Sequence, residues 1–515
     1  MRFRYYIIIL IILMPIMILR DFTPDNELRY LSIADEALKN NHLFAFTNHG
    51  QVYADKPPLY LWIVMLGKSM LGTHNVFFLS FFSIIPAFII IYIMDKWIGK
   101  HLSKTTRIAA AVMLMTSVFF LGGMIVLRMD MLMCMFITLA LFTFYKMYEG
   151  AEGKHHQWLL GFYIFMSVFT KGPIGIIIPL LSIVAFLMVQ KEIRTFSKYF
   201  GWRVLATLLI CFSFWFLMVW IEGGNGYLNN LLFNQTVNRA VDSFKHKEPF
   251  YYYIVTIWYS IGPWSLLFIT TIIMGIQKKY IITDLERFLL TVISVSFIFL
   301  SIISSKIPIY MLPAYPFIAY LAVLILSKIK WKKWIAISIA TPVIIILLAV
   351  PVALFLGINY LNSVQVLWIY AITAAIVLIV SGLATLYHIY NKKNIIQASI
   401  FFAGGLLVTI LIIGLATPFL NNRIGYGELC NKGKELSEGK DNPLYCTFKL
   451  RRAENIDVYL NTDVKEISLE DIVSSKYKGA ILFTSEKKIK NNQILYDYLK
   501  TKKQEAVGNN LVIQL

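Results

Sequence analysis

Apolar residues in this chain come in blocks of about 20, repeated along most of its length, and a helix of that length crosses a hydrocarbon core of about 30 Å. No other feature constrains the fold as strongly. Inside a bilayer every backbone N–H and C=O must find its partner within the chain, which leaves helices or closed barrels. The runs lie at 5–19, 75–94, 108–127, 130–148, 157–170, 173–189, 203–221, 254–275, 286–303, 309–327, 334–356, 364–388 and 396–418. They predict an all-α polytopic membrane protein with about 13 transmembrane helices. With 58% hydrophobic and 15% charged residues, the composition does not fit a soluble enzyme, which carries roughly 25% charged residues.

The 515 residues hold 48 Lys+Arg against 29 Asp+Glu, a net charge of +19. Most cations before residue 419 cluster at alternate ends of the runs: Arg2 and Arg4, Lys96 to Arg107, Lys146 and Lys154, Lys191 to Arg203, Lys278 to Arg287, Lys328 to Lys333, and Lys392 with Lys393. These ends read as cytoplasmic. The positive excess is therefore topological and implies no nucleic-acid partner. The first run follows a basic start but no small-residue cleavage site, and reads as a retained helix with a cytoplasmic N-terminus. Pro57–Gly72 is apolar but short, and counting it as a span would put Lys96–Arg107 outside. It reads as an interfacial helix within a first outer loop covering residues 20–75.

After the transmembrane domain (1–418), residues 419–515 change character. Short β-rich runs (Asp457–Leu460, Gly479–Thr484, Asn510–Leu515) alternate with amphipathic stretches (Leu469–Ser475, Lys490–Lys503). This predicts a small extracytoplasmic α/β domain. For Cys430 and Cys446, a disulfide and two free thiols are equal alternatives. Cys134 and Cys211 fall in spans and read as packing residues.

Three outer segments are rich in polar residues: the first loop, Arg128-Met129-Asp130, and 223–253 with Asn234, Arg239, Asp242, His246 and Glu248. Lys171 and Lys306 mark outer ends of spans. Charges at a membrane boundary are costly and are default functional candidates, although each has a plainer reading. Asp25-Asn26-Glu27-Leu28-Arg29-Tyr30 also fits a capped surface helix. Lys56, after Tyr53-Ala54-Asp55 and before Pro57-Pro58, also fits snorkelling to the headgroups. Asp130 is the single acid between Ser117 and Tyr145; a structural pair with Arg128 is its plain reading. Taken together, cations and carboxylates converge on the face where a lipid phosphate lies. Cations there can hold a phosphate leaving group while a carboxylate deprotonates an acceptor hydroxyl, the chemistry of glycosyl transfer from a lipid-phosphate sugar.

In order, the chain carries DNELRY (25–30), YADKPPLYLW (53–62), RMD (128–130), FTKGPIG (169–175), HKEPFYYY (246–253) with GPW (262–264), and SSKIPIYMLPAYP (304–316). This series resembles the C-type membrane glycosyltransferases, in the branch of the lipid A aminoarabinose transferase and the protein O-mannosyltransferases. The resemblance runs from about residue 20 to 320. It implies a fold of the thirteen-span type, two amphipathic helices in the first outer loop, and a polyprenyl-phosphate-sugar donor. The family motif Asp-Glu-x-Arg-Tyr departs here, with Asn26 in place of the leading acid, the family's proposed base. An amide is a poor base, so the role passes to Asp25, with Glu27 as the alternative. The second acid of the family carries over onto Asp130 and its Lys-Pro pair onto Lys56 and Pro57, Lys56 holding the donor phosphate. Arg29, Tyr53 and Tyr310 match positions lining the phosphate site. In the aminoarabinose transferase a metal is associated with an acid before that Lys and a later His, matched by Asp55 and His246. Two ligands do not make a site, and no cofactor is required.

The expected protein is an inverting glycosyltransferase at the outer face of a bacterial inner membrane. It takes an undecaprenyl-phosphate-linked sugar held by Lys56 and Arg29, helped by Lys306. Asp25 activates the acceptor, and Asp130 orients the acceptor or base. Lipid A, another envelope glycan and a protein hydroxyl all remain open as acceptors. A transporter of lipid-linked sugars is the alternative, though transporters place their charges near the midplane and in repeated halves. A non-catalytic envelope scaffold is a third.

Overall fold

The computed structural model describes residues 3–151, 153–233 and 247–515; Arg2, Asn234, Arg239, Asp242 and His246 lie outside them. Among the described residues, eight helices are long and apolar enough to cross a membrane, or ten if two bent pairs each count as one span. The runs at 5–19, 157–170 and 173–189 fall on the shorter helices Phe3–Leu19, His155–Lys171 and Ile174–Val189. Each apolar run thus lies on helical structure, although length and composition qualify fewer than thirteen of them as spans.

Two of the predicted spans are broken rather than continuous. Lys104–Met115 and Val118–Ile125 meet at 71°, and Tyr252–Ser260 and Ser265–Gln277 at 118°. In the second pair, Pro263 supplies no donor to a helix ladder. In the first, Thr116 and Ser117 turn their hydroxyls back onto the carbonyls of Val112 (2.6 Å) and Met113 (2.9 Å). The two breaks face each other. The Val118 N–H donates to the Gly262 carbonyl at 2.9 Å, and the Trp264 indole N–H donates to the Thr116 hydroxyl at 2.9 Å. Polar groups freed by each break are thereby satisfied by the other, as a low-dielectric interior requires.

The first loop, between the helices Phe3–Leu19 and Val76–Ile98, holds two helices, Glu27–Asn40 and Leu59–Leu71, separated by the hairpin β1 (Thr47–Asn48) and β2 (Gln51–Val52). Leu59–Leu71 ends at Gly72, whose φ of 72° admits a residue without Cβ. The interfacial reading of this segment accords with its length, since 13 residues rise only about 20 Å.

Beyond Leu420 the chain forms a five-stranded sheet in the order β4-β3-β5-β7-β6, from β3 (Tyr445–Phe448), β4 (Val464–Glu466), β5 (Ile481–Ser485), β6 (Gln504–Val507) and β7 (Asn510–Gln514). β3 runs parallel to β4 and β5; β7 is antiparallel to β5 and β6. Asp457–Leu460, read from the sequence as β-rich, is a single helical turn. Its side chains dock on the first loop instead of pairing in the sheet.

Alternation along the strands gives the sheet two buried faces. Cys446, Phe448 and Leu482 pack with Leu495 and Ile513. Tyr445, Ile481 and Phe483 join Leu429 and Cys430 in a cluster continuous with Leu28, Leu31 and Tyr60 of the first loop. Cys430 and Cys446 are both free and buried, and they belong to opposite faces. Polar contacts reinforce this docking. Asp21 accepts from the Gly427 N–H at 2.7 Å and the Tyr459 hydroxyl at 2.5 Å, and the Ser32 hydroxyl donates to Asp457 at 2.9 Å.

Candidate active site

The site begins where the first span ends. Arg20 grips Glu27 with two nitrogens, each at 2.7 Å, and Glu27 also accepts the N–H groups of Thr23 and Leu127 at 2.7 Å. Both side chains are buried. This carboxylate is fully engaged in joining the first span, the first-loop helix and the strand of chain that enters Arg128. Asp25, two residues earlier, faces outward and pairs with Arg451 of the sheet domain at 2.9 Å. Asn26 accepts from the Arg29 guanidinium at 3.1 Å.

About one helical turn later the chain turns inward. The Arg29 guanidinium lies 5.7 Å from the ring centre of Tyr30 and 5.9 Å from that of Tyr53, and Tyr30 packs edge-on to Tyr60 at 5.6 Å. Burial opposes the Arg29 charge, yet the phenols of Tyr53 and Tyr30 and the Asp55 carboxylate hold its pKa above the ordinary value. Lys56 Nζ is 3.0 Å from the Asp55 carboxylate, and the Tyr53 hydroxyl is 3.5 Å from the same oxygen. Pro57 and Pro58 set the backbone for the helix that follows.

Asp130 opens its helix and is 1% exposed. It accepts from Arg128 Nε at 2.9 Å and is ion-paired and hydrogen-bonded to Lys171 Nζ. Asp130 holds the Arg128 pKa above its ordinary value, against the effect of burial. The Lys171 ammonium in turn lies 4.7 Å from the centre of the Tyr310 ring. Gly172, at φ 105°, lets the chain reverse directly behind this lysine.

These groups meet at a cavity of about 540 Å³ whose polar end is formed by Asp55, Lys56, Lys171, Ser305 and Tyr310. Its other walls are apolar, among them Trp215, Phe216, Leu231 and Phe299. Such a space suits a ligand with an anionic head and a hydrocarbon tail. Of the residues predicted from sequence, Lys56 and Tyr310 line the cavity, and Arg29, Tyr53 and Asp130 adjoin it through Asp55 and Lys171. Asp25, Glu27 and Lys306 are not in its wall. Lys306 is buried and donates to the Glu248 carbonyl at 2.8 Å, bracing the segment that carries Tyr310. In the sequence Lys171 marks only the end of an apolar run; its partnership with Asp130, 41 positions away, is visible only in three dimensions.

His246 lies outside the described residues, and among those described no three His, Cys, Asp or Glu side chains gather as metal ligands. Asp55 already faces a lysine ammonium, which competes with a divalent cation for the same oxygen. Of the two predicted ligands only Asp55 lies among the described residues, 3.0 Å from the Lys56 ammonium.

A family profile described as dolichyl-phosphate-mannose-protein mannosyltransferase matches residues 55–218. The chain is 25% identical over 296 residues to the undecaprenyl phosphate-alpha-4-amino-4-deoxy-L-arabinose arabinosyl transferase of Serratia proteamaculans, covering 56% of this chain and 52% of that protein. It is 27% identical over 337 residues to an uncharacterized protein of Aquifex aeolicus, covering 63% of this chain and 65% of the other. The alignments thus span about half to two thirds of these relatives. Among solved structures, ArnT from Cupriavidus metallidurans bound to undecaprenyl phosphate superposes with a TM-score of 0.76, covering 99% of this chain and 97% of that one at 14% identity. At that identity the likeness is one of fold.

Proposed function

We propose that this chain, a multipass membrane protein with the fold and sequence resemblance of the C-type membrane glycosyltransferases, moves a sugar from a polyprenyl-phosphate carrier to an acceptor on the outer side of a bacterial inner membrane. The observation that carries the reading is the cavity: an apolar channel capped by Lys56, Lys171 and Tyr310, with Arg29 close behind. The polyprenyl tail lies along the apolar walls, and its phosphate meets the cationic end.

The reaction is an in-line displacement. The acceptor oxygen bonds to the anomeric carbon, the bond from that carbon to the phosphate oxygen breaks, and polyprenyl phosphate leaves with the configuration inverted. Charge gathers on the leaving phosphate, where Lys56 and Arg29 neutralise it in a partly dry site. Asp130 orients Lys171 toward the same point. A carboxylate must take the acceptor proton. Asp55 is the acid in the cavity wall among the described residues, and we assign it this role. Asp25 is the second reading, favoured by its position at the seam between the first loop and the sheet domain, where an acceptor can arrive. The acceptor is an envelope lipid, glycan or protein hydroxyl.

The test uses purified protein in detergent with a polyprenyl-phosphate sugar and candidate acceptors. Acceptor-dependent release of polyprenyl phosphate, lost in Lys56→Ala, supports transfer. After reconstitution into liposomes, passage of intact donor between leaflets without bond cleavage overturns it in favour of transport.

A further inference from the structure

On the membrane face opposite the candidate site lies a second cavity, of about 520 Å³, with different chemistry. The helix Tyr315–Lys328 relates the two faces: the Tyr310 segment leads into its first turn, and Lys328 ends it. Around this second cavity three helices begin, Lys104–Met115, Lys333–Leu356 and Ile395–Ala416, so three positive dipole ends are gathered there. Its walls include Lys330, Lys392, Lys393, His101 and Trp331, and no Asp or Glu.

Several other cations of this face are matched. Arg107 meets Asp95 at 2.5 and 2.7 Å, Lys100 meets Glu149 at 3.1 Å, and Lys328 pairs with Glu286. By contrast, Lys330, Lys392 and Lys393 have no carboxylate within ion-pair distance among the described residues. Lys393 is held in the left-handed region at φ 50°, an unfavourable conformation for a residue with a Cβ. That turn places its ammonium 5.6 Å from the centre of the Trp331 ring. The Trp331 indole N–H is in turn fixed by the Ile389 carbonyl at 3.1 Å. The helix Lys333–Leu356 has no side-chain N-cap, which leaves its first N–H groups available to an anion. Trp334, in its first turn, is 72% exposed.

We propose that this cavity binds the phosphate headgroup of an anionic phospholipid on the face opposite the active site. Three lysines without acidic partners among the described residues, the uncapped N-terminus of Lys333–Leu356 and an exposed tryptophan form a pocket for a phosphate. The role is independent of the transfer reaction and stands whether or not that reading holds.

The full-length protein, purified in detergent and mixed with phosphatidylglycerol, cardiolipin or phosphatidylcholine, is examined by native mass spectrometry. The expected result is retention of the anionic lipids at least tenfold above phosphatidylcholine. The triple variant Lys330→Ala, Lys392→Ala, Lys393→Ala should lose about fivefold per lysine, and the triple Lys→Arg variant should keep the preference. Lys278→Ala with Lys279→Ala, on the same face but outside the cavity, should also keep it. Equal retention of all three lipids by the wild type overturns the proposal, as does an unchanged preference in the triple alanine variant. Displacement of the lipid by millimolar inorganic phosphate assigns the pocket to free phosphate and overturns the lipid assignment.

Discussion

Glu27 and Arg20 face each other fork to fork, with both nitrogen–oxygen contacts at 2.7 Å and both side chains buried. The pair fastens the end of the first span to the helix that carries Arg29 and Tyr30. Removing one partner leaves an uncompensated buried charge, a loss of about 3–5 kcal/mol. Glu27→Ala should therefore lower the thermal unfolding temperature in detergent sharply and cut the yield of folded protein. A variant that unfolds at the wild-type temperature but does not turn over would return Glu27 to a chemical role.

Asp130 balances two cations, Arg128 and Lys171, in a nearly dry setting. Asp130→Asn should destabilise by several kcal/mol, because a guanidinium and an ammonium then share one pocket without a carboxylate. Adding Lys171→Met should restore part of the loss, since the pair is coupled by about 0.5–3 kcal/mol. Thermal unfolding of the two single variants and the double variant measures this coupling, and strict additivity would show that the contact is energetically idle.

Asp55→Asn and Asp25→Asn separate the two readings of the base. Loss of a general base slows turnover about 10²–10⁴-fold, whereas a surface ion pair such as Asp25–Arg451 contributes at most about 1 kcal/mol. The expected outcome is collapse of the rate with donor affinity nearly intact in Asp55→Asn, and a modest change in Asp25→Asn. Single-turnover kinetics at saturating donor reads the difference, and the reverse ranking moves the role to Asp25.

The seam between the first loop and the sheet domain should respond to pH through Asp457. Burial raises its carboxyl pKa, against the lowering pull of His49 and of the Ser32 hydroxyl. A carboxyl raised in the folded state binds its proton more readily there than in the unfolded chain. Its contribution is therefore fully present below the unfolded value of about 4 and is lost as pH rises through the folded value. Asp457→Asn should flatten that part of the stability profile and gain most at neutral pH. Thermal unfolding from pH 4 to 8 checks this; parallel profiles for wild type and variant would remove Asp457 as the source.

The apolar helices, though not the number of spans they make, were legible in the sequence because a bilayer demands apolar helices, a demand met locally in the chain. The helix after Pro58 and the strands at 481–485 and 510–514 were legible too, from local patterns of apolar and polar residues. Asp457–Leu460 was misread because short alternating polar and apolar runs do not distinguish a strand from one helical turn.

What tertiary structure alone decided is which charges meet. Nothing local joins Asp130 to Lys171, Glu27 to Arg20 and Leu127, or Asp21 to Tyr459, because each pairing depends on how distant elements pack. The breaks at Ser117 and Pro263 likewise make sense only together, each supplying the partner that the other lacks. Composition and periodicity determined a membrane protein with a charged outer face. Packing determined that Glu27 is a brace, that Lys171 shares the cavity with Lys56, and that three unmatched lysines gather on the other side, since burial and pairing of charge are properties of the assembled fold.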